Sequence, residues 1–152
     1  MNLNEISESD RALIEQLREA IRDELLLVPA YDGDFSLLRW ITGWDRKLDL
    51  VIPKIKFSLR AISALGLEKK DFSTLEKISA YCDSISEPLQ YIPGSLLGYD
   101  KEHNIISLQT IGRLDIRGLL PCIRNLDLHI LRIVETEGVM NLIRYILLYP
   151  RK

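Results

Sequence analysis

The sequence predicts a mostly α-helical fold with one small β-hairpin. Apolar residues recur every third or fourth position over residues 8–27 and again over 125–148, which is the period of a helix with one buried face. Two short extended segments, Gly94–Tyr99 and Asn104–Thr110, flank the polar stretch Asp100-Lys101-Glu102-His103, which is the pattern of a hairpin with a four-to-five-residue loop.

The elements follow in order. Residues 8–27 form the first helix, with Leu13, Leu17, Ile21 and Leu25 on its buried side and Ser7 at its N-cap. Pro29 stops it, because a proline has no N–H to continue the ladder. Asp34 caps a second, short helix over 35–43, with Phe35, Leu38 and Ile41 on its apolar face and Leu37 beside it; it ends near Gly43. A third helix covers 49–65 with the stripe Ile52, Ile55, Leu59 and Ile62; Pro53 places its start near residue 50, and Gly66 ends it. A fourth, about 73–82, carries Leu75, Ile78 and Cys82. Pro88 and Pro93 then bracket an irregular stretch ahead of the hairpin. In its second strand Ile106 and Leu108 face one way and Ile105 and Ser107 the other. Asp115–Leu120 is a helical turn, and a long helix follows over about 125–148, with Leu128, Leu131, Val134, Leu142, Tyr145 and Ile146 near one side. At a rise of 1.5 Å per residue it is about 36 Å long.

The 152 residues suffice for one sizeable core and are few for two ordinary domains. With 47% hydrophobic and 28% charged residues the composition is that of a globular protein. A net charge of −2 removes the electrostatic case for nucleic-acid binding. Charge is uneven, however: residues 1–34 carry a net −6 and residues 39–70 a net +5. Such a basic helical surface suits anionic lipid headgroups, and it equally suits a solvated face balanced by the acidic first helix. No basic-then-apolar leader and no membrane-length apolar run is present, so a cytoplasmic protein with reduced cysteines is expected, Cys82 and Cys122 serving as small buried apolar groups. Trp40 and Trp44, and Tyr91, Tyr99 and Tyr145, are expected to be packing residues.

Catalytic signals are missing. His103 and His129 stand 26 residues apart with no zinc-ligand spacing around them. Gly94-Ser95-Leu96-Leu97-Gly98 lacks the lysine of a phosphate loop, and Glu135 and Glu137 are two apart on a helix and do not face each other. No enzyme, metal or cofactor is expected.

Three segments, in order, resemble the CRAL-TRIO family of lipid-binding and lipid-transfer proteins. Leu37-Leu38-Arg39-Trp40 is similar to the family's Leu-Leu-Arg-Phe signature in its small helical subdomain. Tyr99-Asp100-Lys101-Glu102-His103-Asn104-Ile105-Ile106 is similar to its Asp-Lys-x-Gly-x-Pro-Val hairpin, with His103 and Ile105 in place of the glycine and the proline. Ile111–Leu120, followed by the helix with Glu135-Thr136-Glu137, is similar to the next strand-to-helix passage. The resemblance spans roughly residues 10–144.

It implies a helical subdomain over 1–84 and the first portion of an α/β lipid-binding domain over 85–152. The family continues beyond this point with the remaining parallel sheet and the gate over the lipid, so the resemblance implies a shortened product or fragment. The implied function is non-covalent binding and transfer of a hydrophobic lipid or phospholipid, with transient contact to a membrane surface. Ile106, Leu108, Leu131 and Val134 are the expected lipid-facing residues. Thr42 and Trp44 stand where the family has further arginines, so Arg46 and Lys47 are the expected contacts to an anionic headgroup. The alternative is an inactive short isoform, or an interaction module without cargo that meets a protein partner through an exposed apolar helix.

Overall fold

A computed structural model describes residues 6–102 and 104–148, and their side chains except Ser95, Leu96 and 144–148. His103, the tail from Tyr149 and the side chains of Tyr145 and Ile146 lie outside the described residues. The fold is mostly helical with a small two-stranded antiparallel sheet. The chain divides into two compact units, Met1–Lys70 and Asp71–Lys152. The division falls ahead of the 84/85 boundary that the resemblance implies, because the helix at Leu75–Ile85 packs along the long helix of the second unit.

The first unit holds α1 (Glu8–Ala20), α2 (Arg22–Leu27), α3 (Asp34–Gly43) and α4 (Leu48–Ala64). Ser7 caps α1 as expected, its hydroxyl accepting from Asp10 N at 3.1 Å. The single helix expected over 8–27 is broken at Ile21, and the turn lays α2 against α4. Asp34 does not cap α3; Gly33 holds that place and Asp34 accepts from Arg18 instead. On α3 the buried face is Leu37, Leu38 and Ile41, with Phe35 only partly covered. Helix α4 starts at Leu48, so Pro53 lies inside it, and its buried stripe uses Val51 rather than Ile52 with Ile55, Leu59 and Ile62. Gly66, at φ +64°, takes the left-handed conformation that ends the helix.

The second unit contains α5 (Leu75–Ile85), β1 (Gly94–Tyr99), β2 (Ile105–Gln109), α6 (Ile116–Leu119) and α7 (Asn125–Leu148). Thr74 caps α5, and Asp115 caps α6 by accepting from Gly118 N at 3.0 Å. Helix α7 buries Leu131, Val134 and Leu142, three and eight positions apart, on the one helix side read from the sequence. Gly138 is buried on the same side, and a Cβ there would come within 3.0 Å of Ile78 on α5, so the glycine sets how closely the two helices approach. Leu131, Val134 and Leu142 of the α7 stripe are therefore covered, while Leu126 in its first turn is exposed.

Candidate functional site

The hairpin forms because its loop is self-contained. One Asp100 carboxylate oxygen accepts from the backbone N–H groups of Glu102 and Asn104, each at 2.8 Å, and the Asn104 amide donates to the other at 2.9 Å. Such a side-chain turn holds the chain reversal without help from a neighbour. Strand pairing runs from Gly94↔Gln109 to Tyr99↔Ile105, with a bulge between Leu96 and Gly98 that leaves Leu97 unpaired. The sequence pattern gives no sign of this bulge beyond Gly98, which sits at φ +144°.

Pairing and alternation give the hairpin two different faces. Gly94 and Gln109 face a cleft against α5 and α7. Ile106 and Leu108 lie on the opposite face and are 43% and 50% exposed, and the bulged Leu97 is 58% exposed. The four residues expected to face a lipid are thus not brought together. Ile106 and Leu108 form an open outer surface. Leu131 belongs to a core cluster with Leu89 and Ile123, and Val134 is fully buried. The separation follows from α5, which packs along α7 and buries Val134 and Leu131 there, whereas Ile106 to Gln109 of β2 stay exposed.

The cleft itself has a volume of about 190 Å³. Its floor is apolar: Ile78, Leu89, Ile92 and Leu131. Its polar groups are Ser79, Asp83, Gln90, Gln109 and Glu135, two of them carboxylates, and among the described residues no lysine, arginine or histidine lines it. Glu135 accepts from Arg132 through Oε2 at 2.8 Å. Asp83 has no hydrogen bond or ion pair among the described residues. Cys82 lines the cleft with them; burial, then the charges of Glu135 and Asp83, push its thiol up to about 12, so it is no nucleophile at neutral pH. The sequence carried a faint sign of this site in two i,i+4 pairs, Ser79 with Asp83 and Leu131 with Glu135, each of which shares one helix face.

The expected headgroup residues are differently placed. Arg46 donates from Nε to Asp10 Oδ1 at 2.7 Å and from Nη2 to Oδ2 at 3.2 Å. This bidentate bond raises the guanidinium further and commits it to a partner inside the protein. Lys47 is exposed. Other bases of the 39–70 stretch are also engaged: Arg60 and Lys56 with buried Glu24, and Lys54 over the Trp44 ring at 4.2 Å. The acidic N-terminal helices thus neutralise much of the basic stretch. Cys122 is exposed rather than buried, Cys82 half-buried, and Tyr91 lies mostly in solvent instead of packing.

Among the described residues no group of His, Cys, Asp and Glu is arranged to hold a metal, and no helix is long and apolar enough to cross a membrane. No family model matches the chain, and no solved structure matches it.

Proposed function

We propose that this chain binds a hydrophobic lipid or phospholipid non-covalently, through the outer face of its hairpin, in the manner that its resemblance to CRAL-TRIO proteins implies. The observation that carries the reading is the open apolar face of Ile106 and Leu108, with the bulged Leu97 exposed on the same hairpin. Buried area is worth roughly 25 cal/mol per Å², so covering three half-exposed aliphatic side chains gains roughly 2–4 kcal/mol. That supports weak, reversible attachment. The inner cleft is a poor home for a lipid, since about 190 Å³ lies below the ~300 Å³ at which pockets for drug-sized ligands begin, and a lipid is larger still. The lipid is therefore met at the open face, and contact with a membrane surface is transient. Unpaired Cys82 and Cys122 support a reducing, cytoplasmic setting.

Native mass spectrometry of the protein from its own cells, with extraction of co-purifying lipid, tests the reading. Lipid retained by the wild type and lost from Ile106→Ser/Leu108→Ser is expected; a folded monomer carrying no lipid and ignoring vesicles overturns it. The second reading is an interaction module. Both strands of the two-stranded sheet carry an outward edge among the described residues, where a partner strand would add. A protein that pairs there would leave vesicle binding at zero.

A further inference from the structure

The cleft between α5, α7 and the base of the hairpin is independent of the lipid reading, because it lies on the other face of the sheet from Ile106 and Leu108. Its lining pairs an apolar floor with two carboxylates and, among the described residues, holds no cationic side chain. Glu135 keeps one oxygen outside its bond to Arg132, and Asp83 is uncommitted among the described residues. We propose that this cleft binds a small primary ammonium carried on a compact apolar body.

The size follows from the volume. An apolar cavity of about 150 Å³ takes up benzene, so a cleft of about 190 Å³ accommodates a body of about six carbons with one polar group. The charge follows from the lining. An anion would meet Asp83 with no counter-charge beside it, Arg132 being committed to Glu135, and a neutral alcohol would leave Asp83 without an ionic partner. An ammonium has three donors, enough for Asp83, the free oxygen of Glu135 and the Gln90 or Gln109 amide oxygen. The apolar body then covers Ile78 and Leu131. Among the described residues no aromatic ring lines the cleft, which argues for hydrogen-bonded ammonium over a quaternary one held by cation–π contact. Binding is non-covalent, since the neighbouring Cys82 thiol stays protonated.

Cyclohexylammonium, cyclohexanol and cyclohexanecarboxylate are the probes, titrated into the full chain and followed by amide chemical shifts. Cyclohexylammonium is expected to move residues 78–83 and 131–135 in a saturable way, with cyclohexanol at least tenfold weaker and the carboxylate silent. Asp83→Asn removes an exposed charge with no internal partner, so the fold is kept, and the ammonium affinity should fall about tenfold. Equal binding of ammonium and alcohol, or an unchanged affinity in Asp83→Asn, overturns the charge assignment. Saturable shifts confined to other residues overturn the site. Loss of vesicle binding in Ile106→Ser/Leu108→Ser with ammonium binding intact is expected, and loss of both together overturns the independence of the two faces.

Discussion

Arg46 and Asp10 are 36 positions apart and share a two-point bond that ties the turn after α3 to the start of α1. The turn needs the tie. Asp45 and Arg46 both have positive φ, +52° and +60°, a conformation that costs energy for any residue with a Cβ and is least suited to a long side chain. Arg46→Ala loses the bond and keeps the strained backbone, whereas Arg46→Gly loses the bond and relieves the strain. Thermal melts should therefore rank wild type above Arg46→Gly and Arg46→Ala lowest, reversing the usual preference for alanine over glycine. Alanine melting above glycine would refute the account.

Buried Glu24 makes a pH prediction. Burial pushes its carboxyl up, but the Arg60 hydrogen bonds, its own backbone and the charges of Lys56 and Arg60 outweigh this and hold it below its ordinary value. A depressed carboxyl stabilises the fold above its unfolded pKa of about 4.3 and loses that contribution as pH falls through the lower folded value. Asp10, lowered chiefly by its bond to Arg46, acts in the same direction. Stability should therefore fall on acidification below about pH 4.3. Arg60→Ala should cost about 1 kcal/mol at pH 7, less than the 3–5 of a fully enclosed pair because Arg60 is 66% exposed. Its urea midpoint should also vary less with pH in the acid range, and an unchanged acid slope would count against Glu24.

Hydrophobic period made the helices legible. The stripes of α4 and α7 stand close to where Ile55, Leu59, Leu131 and Val134 recur, because a core-facing residue must repeat every 3.6 positions whatever covers it. The cap at Ser7 was legible for a local reason: its side chain bonds its own next turn. What covers a face was not legible. Ile106 and Leu131 are both apolar and both on regular elements, yet one is open and the other buried, since that depends on α5 lying along α7 and one side of the hairpin. The same long-range placement assembled Asp83 and Glu135, more than fifty positions apart, at one cleft.

Gly138 and Ile78 measure that placement directly. A Cβ at 138 would meet three carbons of the fully buried Ile78 side chain at 3.0–3.3 Å. Overpacking costs typically 1–3 kcal/mol, against about 1 kcal/mol gained by replacing glycine with alanine inside a helix. Gly138→Ala should thus be neutral to about 2 kcal/mol destabilising, and Gly138→Val clearly worse. Ile78→Val removes the closest methyl, so the double variant Gly138→Ala/Ile78→Val should be more stable than the sum of its singles. Strict additivity in urea unfolding would place the two helices farther apart than this.

The two cysteines should differ sharply in reactivity. With Cys82 raised to about 12, its thiolate fraction at pH 8 is about one in ten thousand. Cys122 is exposed. Iodoacetamide at pH 8, read by peptide mass mapping, should label Cys122 promptly and Cys82 only after denaturation. Adding cyclohexylammonium should leave Cys122 labelling unchanged. Prompt labelling of Cys82 in the native protein would mean that the cleft floor is open and would remove the apolar wall on which ammonium binding depends.

The outer hairpin face gives the most direct test of the lipid reading, because on that reading its residues contribute to binding, and their exposure keeps their share in the core small. Ile106 and Leu108 are about half exposed, so replacing both with serine removes little buried area and should change stability by no more than about 0.5 kcal/mol each. Losing two aliphatic contacts worth roughly 1 kcal/mol apiece should weaken attachment to neutral phosphatidylcholine vesicles by roughly tenfold or more. The attachment should be insensitive to salt, since Arg46 is held by Asp10 and Arg60 and Lys56 by Glu24, which leaves the apolar face as the main contact. Lys47→Ala should accordingly change binding to anionic vesicles by less than twofold. Vesicle sedimentation across a salt series separates the cases. Binding that vanishes at high salt and survives Ile106→Ser/Leu108→Ser would move the lipid contact from the hairpin to the basic stretch, whereas salt-insensitive binding lost in that variant places it on the strand that carries both residues.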